Sequence, residues 1–145
     1  AEADAYFEVR LDVAAWNAAS DDRKEQALIT ATSMLEDMNW TGVVMSESQS
    51  LAFPRSGTYF DPRLGYYVTL DNDVPDRIIK ATYETAYHLL NNDGILDETG
   101  NVTDITIGPI ELTRVRPPSQ MPSTAKRLMK PLLMNAGSNS WWRAN

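Results

Sequence analysis

The residues able to do chemistry are few and scattered. His88 is the sole histidine, set among Ala86, Tyr87, Leu89 and Leu90 with no nucleophile beside it, so it reads as structural rather than as a general base. Asp71, Asp73 and Asp76 in DNDVPD gather three carboxylates as an oxygen-rich calcium loop would, yet the sixth-position glycine and closing glutamate of an EF-hand are missing. A solvated loop, with Asp73 helping to cap the helix that follows, is the better reading. No Ser-His-acid set with a local signature occurs, nor H-E-x-x-H, a Walker loop or G-x-G-x-x-G. The chain has no cysteine, which removes disulfides and thiolate metal sites and suits a cytosolic origin. This inventory predicts no enzyme, no cofactor and no metal site.

Other side chains suit binding. Arg55, in LAFPRSG, either anchors the body by hydrogen-bonding loop carbonyls or faces a partner, and the Phe53-Pro54 bond can be cis. Trp141 and Trp142, followed by Arg143, come after the polar run GSNS. Each tryptophan can bury about 150–250 Å², and such residues serve as interface anchors, with arginine beside them fitting that role. Stacking on exposed bases or folding back on the parent chain are the alternatives.

These residues need elements to position them. Ala3, Tyr6, Phe7 and Arg10 share one face of an expected helix whose start is left open upstream, and Asp12 is the expected cap of a short helix from Val13 to Ala18 with Trp16 buried. Ser20 caps the main helix, Asp21 and Asp22 lie at its positive end, and Ala27, Leu28, Ala31, Met34, Leu35 and Met38 form its apolar stripe. Trp16 and Trp40 flank it as core residues. A polar loop covers 41–50. Two short strands are expected in 58–70, around Asp61-Pro62-Arg63 or Leu64-Gly65. Pro75 opens a second long helix with Ile78, Ile79, Thr82, Ala86, Leu89 and Leu90 inward, ended by Gly94. Strands broken at Gly108-Pro109 follow. Pro117, Pro118 and Pro122 keep the chain extended, and a short helix runs from Ser123 to Met134, capped by Ser123 and shortened by Pro131.

At 145 residues the chain holds one domain, with 43% hydrophobic and 23% charged residues typical of a globular protein and no run long enough to span a membrane. The start, AEADAYFEVR, has the features of no signal peptide. The net charge of −7 divides into −11 over residues 1–100 and +4 over 101–145. A basic tail either lies on its own acidic body or reaches an acidic partner, while an acidic body argues against lying along a phosphate backbone. The fold expected is mainly α: a small helical bundle with a short β-hairpin as a body over 1–96, and an extended C-terminal arm with short strands and a short helix over 97–145.

EADAYF near the start, AWNAAS and the AL-x(2)-AT-x(2)-L pattern across Ala15–Leu35, Trp40-x-Gly42, LAFPRSG at 51–57, VPDRIIKATYETAYHLL at 74–90 and IGPIEL at 107–112 resemble a family of small tailed-phage proteins. Its members are often labelled DnaT-like single-stranded-DNA-binding proteins and are similar to head–tail adaptor (head-completion, or neck) proteins of the gp6-like connector group. SNSWWRAN lies outside that pattern. The resemblance implies a structural virion protein of the neck, made in the host cytoplasm. It would form a ring, usually a dodecamer, under the portal protein, extending the DNA channel and meeting the next neck or tail protein below. DNA would pass through without specific binding, and no membrane is involved. The arm residues expected to grip the portal are Arg114, Arg116, Lys126, Arg127, Trp141 and Trp142. The alternative is a single-stranded-DNA-binding protein, which needs aromatic platforms.

Overall fold

The computed structural model describes residues 2–71, 73–92, 104–107, 110–113 and 121–134. Helix α1 spans Glu2–Glu8, α2 Ala14–Ala18 and α3 Asp21–Glu36, followed by strands β1 (Val43–Val44), β2 (Arg55–Asp61) and β3 (Tyr66–Leu70). Helix α4 spans Asp76–Asn91, strands β4 and β5 Asp104–Ile107 and Ile110–Thr113, and α5 Ser123–Met129, which runs into a 3₁₀ turn at Lys130–Leu132. The mainly α bundle with a small antiparallel sheet is the architecture expected.

Local chemistry sets most of these bounds. The Ser20 hydroxyl accepts from the Arg23 N–H (3.4 Å), and Asp21 and Asp22 occupy the first turn of α3. Asp12 does not cap α2. Val13 holds the cap position, while Asp12 turns the chain at φ 56° and its carbonyl accepts from the Tyr87 hydroxyl (2.7 Å). Likewise Pro75, not Asp73, precedes α4, and Pro122 precedes α5, leaving Ser123 as its first residue. Pro131 shortens α5 as expected, because a proline ring ends the α-helical hydrogen-bond ladder and leaves a 3₁₀ turn. The predicted stop at Gly94 lies outside the described residues.

Helix α4 is the central element, packed against α2 and α3 on one side and α5 on the other. Of its sequence stripe, Ile78, Ala86 and Leu89 are buried while Ile79, Thr82 and Leu90 are half-buried, and Ala81, Glu84 and Thr85 are buried as well, because a helix covered on two sides needs a wider inward face. Ala31, Ala81, Ala86 and Ala125 are fully buried and let the helix axes approach closely. Two apolar clusters run along this stack. One holds Phe7, Trp16, Ala31 and Leu89, and the other Leu35, Trp40, Phe53, Tyr59, Leu70 and Ile78.

The second cluster also contains Met121, Ala125, Met129 and Leu132. Here the expected boundary near residue 96 needs correction: residues 121–134 belong to the body rather than to an arm. The Thr41 N–H donates to the Leu132 carbonyl and the Met134 N–H to the Asn39 carbonyl, both at 2.8 Å, flanking a bridge between Trp40 and Leu133. The physical reason is the apolar stripe of α5 and its 3₁₀ turn, which among the described residues is covered by α4, the sheet and the Leu35–Trp40–Phe53 part of the same cluster. Strands β4 and β5 pair with each other, Ile107 opposite Ile110.

Candidate docking site

The loop that carries β1 is built around Arg55. Its Nε donates to the Thr41 carbonyl (2.9 Å), Nη1 to Ala52 (3.2 Å), and Nη2 to Gly42 (2.7 Å) and Trp40 (3.5 Å). The anchoring alternative therefore holds for this arginine, and the planar fork suits several carbonyls at once. Beside it the Phe53-Pro54 peptide is cis, and the Phe53 ring meets Trp40 edge-on at 5.1 Å. The Trp40 indole N–H donates to the Leu35 carbonyl (2.9 Å).

The β2–β3 hairpin alternates between two environments. Tyr59, Asp61 and Leu70 are buried on its inner side. Asp61 Oδ1 accepts from Arg77 Nη2 and from the Arg63 backbone N–H, both at 2.8 Å, while Oδ2 faces Arg77 Nε and the Tyr59 hydroxyl at 3.4 Å. Hydrogen bonding from the Arg77 guanidinium outweighs burial and, with the Arg63 N–H and the cationic charge, holds the Asp61 carboxyl at about 2. Burial, then the charge and hydrogen bond of Asp61, push the Tyr59 phenol up. This pair joins the hairpin to the start of α4.

On the outer side, Phe60 stands opposite Tyr67 and Thr58 opposite Thr69, with Val43 of β1 opposite Ser56. The Phe60 and Tyr67 rings meet edge-on at 5.6 Å and remain 46% and 71% exposed. This face carries no charged side chain, although the protein as a whole is strongly acidic. The sequence reading placed the strands but did not single out Phe60 and Tyr67. The signal was the alternation itself, since Tyr59 inward forces Phe60 outward.

A cavity of about 670 Å³ lies under the hairpin, bordered by Asp61, Arg63, Leu64, Val68, Arg77 and Leu128, with Asp71, Asp73 and Asp76 at its rim. Among the described residues no group of His, Cys, Asp or Glu is placed to hold a metal ion. His88 is half-buried, its Nδ1 3.3 Å from Asn92 Nδ2. Trp16 and Trp40 are core residues, as expected. A second feature without a sequence signal is Glu84, buried and accepting from Arg10 Nη1 (2.6 Å) and the Tyr6 hydroxyl (2.7 Å), which ties α1 to α4. Burial, then the bond to Glu84, push the Tyr6 phenol up to about 12.

Of the residues expected to grip a portal, Lys126 and Arg127 are exposed on the outer side of α5 beside Lys130. Arg114, Arg116, Trp141 and Trp142 lie outside the described residues. Residues 1–144 match the model of a family described as "Putative DnaT-like ssDNA binding protein". The chain belongs to this family. No match was found for this DnaT-like family member among curated proteins, and none among solved structures. No helix of the described residues is long and apolar enough to cross a membrane.

Proposed function

We propose that this DnaT-like family member is a structural head–tail adaptor of a tailed phage. It would assemble as a ring, expected to be a dodecamer, beneath the portal protein in the virion neck. The observation that carries the reading is the charge-free aromatic face of the sheet, Val43, Thr58, Phe60, Tyr67 and Thr69, displayed on a hairpin braced from behind by Asp61 and Arg77. Exposed apolar faces on a braced element suit protein partners, here the next neck or tail protein below the ring. The acidic balance of the chain suits a channel through which DNA slides without specific binding, because phosphate attraction scales with basic contacts. Arg114, Arg116, Lys126, Arg127, Trp141 and Trp142 remain the proposed portal-gripping residues, and the role is assembly rather than catalysis.

The second reading, binding of single-stranded DNA, is favoured by the family description and by the same Phe60–Tyr67 pair, on which bases could stack. Its electrostatics are poor. On the hairpin itself Arg63 is the exposed cation, while Arg77 is engaged by Asp61. The test is co-sedimentation of the full chain with the portal ring of its own virus, alongside a single-stranded oligonucleotide. Stoichiometric pelleting with the portal and none with the oligonucleotide is expected. Oligonucleotide binding without portal binding, abolished in F60S/Y67S, would replace the adaptor by the second reading.

A further inference from the structure

An apolar groove of about 310 Å³ lies between the second half of α3 and the first half of α4, with the 51–53 loop on its border. Leu51 and Val74 at its edge are 50% and 39% exposed, and Ile79 and Tyr83 line it half-buried. Among the described residues that border it are two carboxylates, Glu2 and Glu36, and no lysine or arginine. Burial, then the charge and hydrogen bond of Glu2, push the Tyr83 phenol up, which sets Glu2 beside that ring. The Glu36 carboxylate accepts from the Ala52 N–H and so fixes the loop along the groove.

One segment of the chain starts at this groove. A neighbouring hollow shares Glu36, Trp40, Leu51 and Ala52 with it and is bordered by Met134, which is 60% exposed. Trp141 follows Met134 by seven residues, a reach of up to about 23–25 Å. Residues 93–103 start instead after Asn92, about 20 Å along α4 from Ile79, and bring three acids, Asp93, Asp97 and Glu98. Of the stretches outside the described residues, 135–145 alone holds aromatic side chains, and its one charged side chain is Arg143.

We propose that the groove between α3 and α4 is a binding site for an aromatic–basic segment, and that in the free protein its occupant is Trp141–Trp142–Arg143 of the same chain. Indole rings would cover Leu51, Val74 and Ile79, while their N–H groups and the Arg143 guanidinium face Glu2 and Glu36. The same chain supplies the occupant because a short tether gives an effective concentration of about millimolar, above that of neighbouring copies in dilute solution. The inference concerns the free chain and goes beyond the adaptor reading. On assembly the portal would draw the same two tryptophans out of the groove, which keeps these apolar anchors covered until then.

The test is NMR of the methyl and indole groups of the full chain over a concentration series, without portal. W141A/W142A should shift the methyl resonances of Leu51, Val74 and Ile79 and leave those of Val9, Leu11 and Ile29 in place, at every concentration. L51S/V74S, both at exposed positions, should lower the protection of the Trp141 and Trp142 indole N–H groups against solvent exchange about tenfold or more. R143E should lower it as well, because a third carboxylate would meet Glu2 and Glu36. Groove methyls that ignore W141A/W142A would overturn the proposal, whatever else lies against them. Indole protection unchanged in L51S/V74S would do the same by placing the tryptophans elsewhere. Shifts that fade on dilution would assign the occupant to a neighbouring copy and overturn docking within one chain. Because portal is absent, this experiment and portal pelleting can fail independently.

Discussion

Replacing Asp61 by asparagine removes one charge from the brace between hairpin and α4 while keeping its shape. In the native protein the carboxylate receives Arg77 Nη2 and the Arg63 N–H at 2.8 Å, and its side chain is 6% exposed against 18% for Arg77. In Asp61→Asn an amide NH₂ would meet the guanidinium, setting donor against donor. Removing one partner of a fully buried pair costs about 3–5 kcal/mol, and the partial exposure of Arg77 lowers that. Linkage gives a second figure. The carboxyl drops from 3.8 to about 2 on folding, and at 1.36 kcal/mol per pH unit this amounts to about 2 kcal/mol at neutral pH. Both routes point to a loss of about 2–3 kcal/mol, or roughly 5–10 °C in Tm for a domain of this size. Since the folded-state value is depressed, the stabilisation is present above pH 4 and is lost as pH falls toward 2. The assay is thermal unfolding by circular dichroism at pH 7, 4.5 and 2.5. The variant should melt well below wild type at pH 7, and the gap should shrink by more than half at pH 2.5. All other carboxylates are common to both proteins and cancel in the difference. Equal melting at pH 7, or a gap that does not change with pH, would refute the reasoning.

Arg55→Lys should cost about 2–3 kcal/mol in urea unfolding, because one ammonium cannot serve carbonyls of Thr41, Gly42 and Ala52 that a guanidinium fork reaches together. Gly42→Ala should destabilise by about 3 kcal/mol or more, since φ is 74° and the new methyl would collide with the Ser56 carbonyl. Gly65→Ala, at φ 77° with open space around it, should cost only about 1 kcal/mol in the same assay. Ending the chain at Asn101 should unfold the body, as seen by loss of the helical circular dichroism signal. It removes Met121, Met129 and Leu132 from the core, worth about 1.5–3 kcal/mol each against a total stability of about 5–15 kcal/mol. Ending it at Met134 should leave that signal intact. At high pH, stability should fall between about pH 10 and 12, because the Tyr6 phenol is held neutral by burial beside Glu84; Tyr6→Phe should flatten that loss in melting curves.

The sequence alone determined what depends on neighbours a few residues apart. The Ser20 cap, the Ala27–Ala31–Leu35 stripe, a hairpin turn within residues 61–65 and the shortening of α5 at Pro131 all follow from local dihedral preference and helical period. Motifs covering nearly the whole chain also carried the family resemblance. What the tertiary structure decided involves residues far apart in the chain. Glu84 meets Arg10 across 74 positions, Asp12 gives its carbonyl to Tyr87 instead of capping α2, and α5 fills the core between α4 and the sheet instead of lying in an arm. Local pattern shows that α5 has an apolar stripe, but not what covers it. For the same reason, the direction in which Lys126 and Lys130 project was settled only once the buried side of α5 was known. A period fixes which residues share a face, while packing alone fixes which face turns outward.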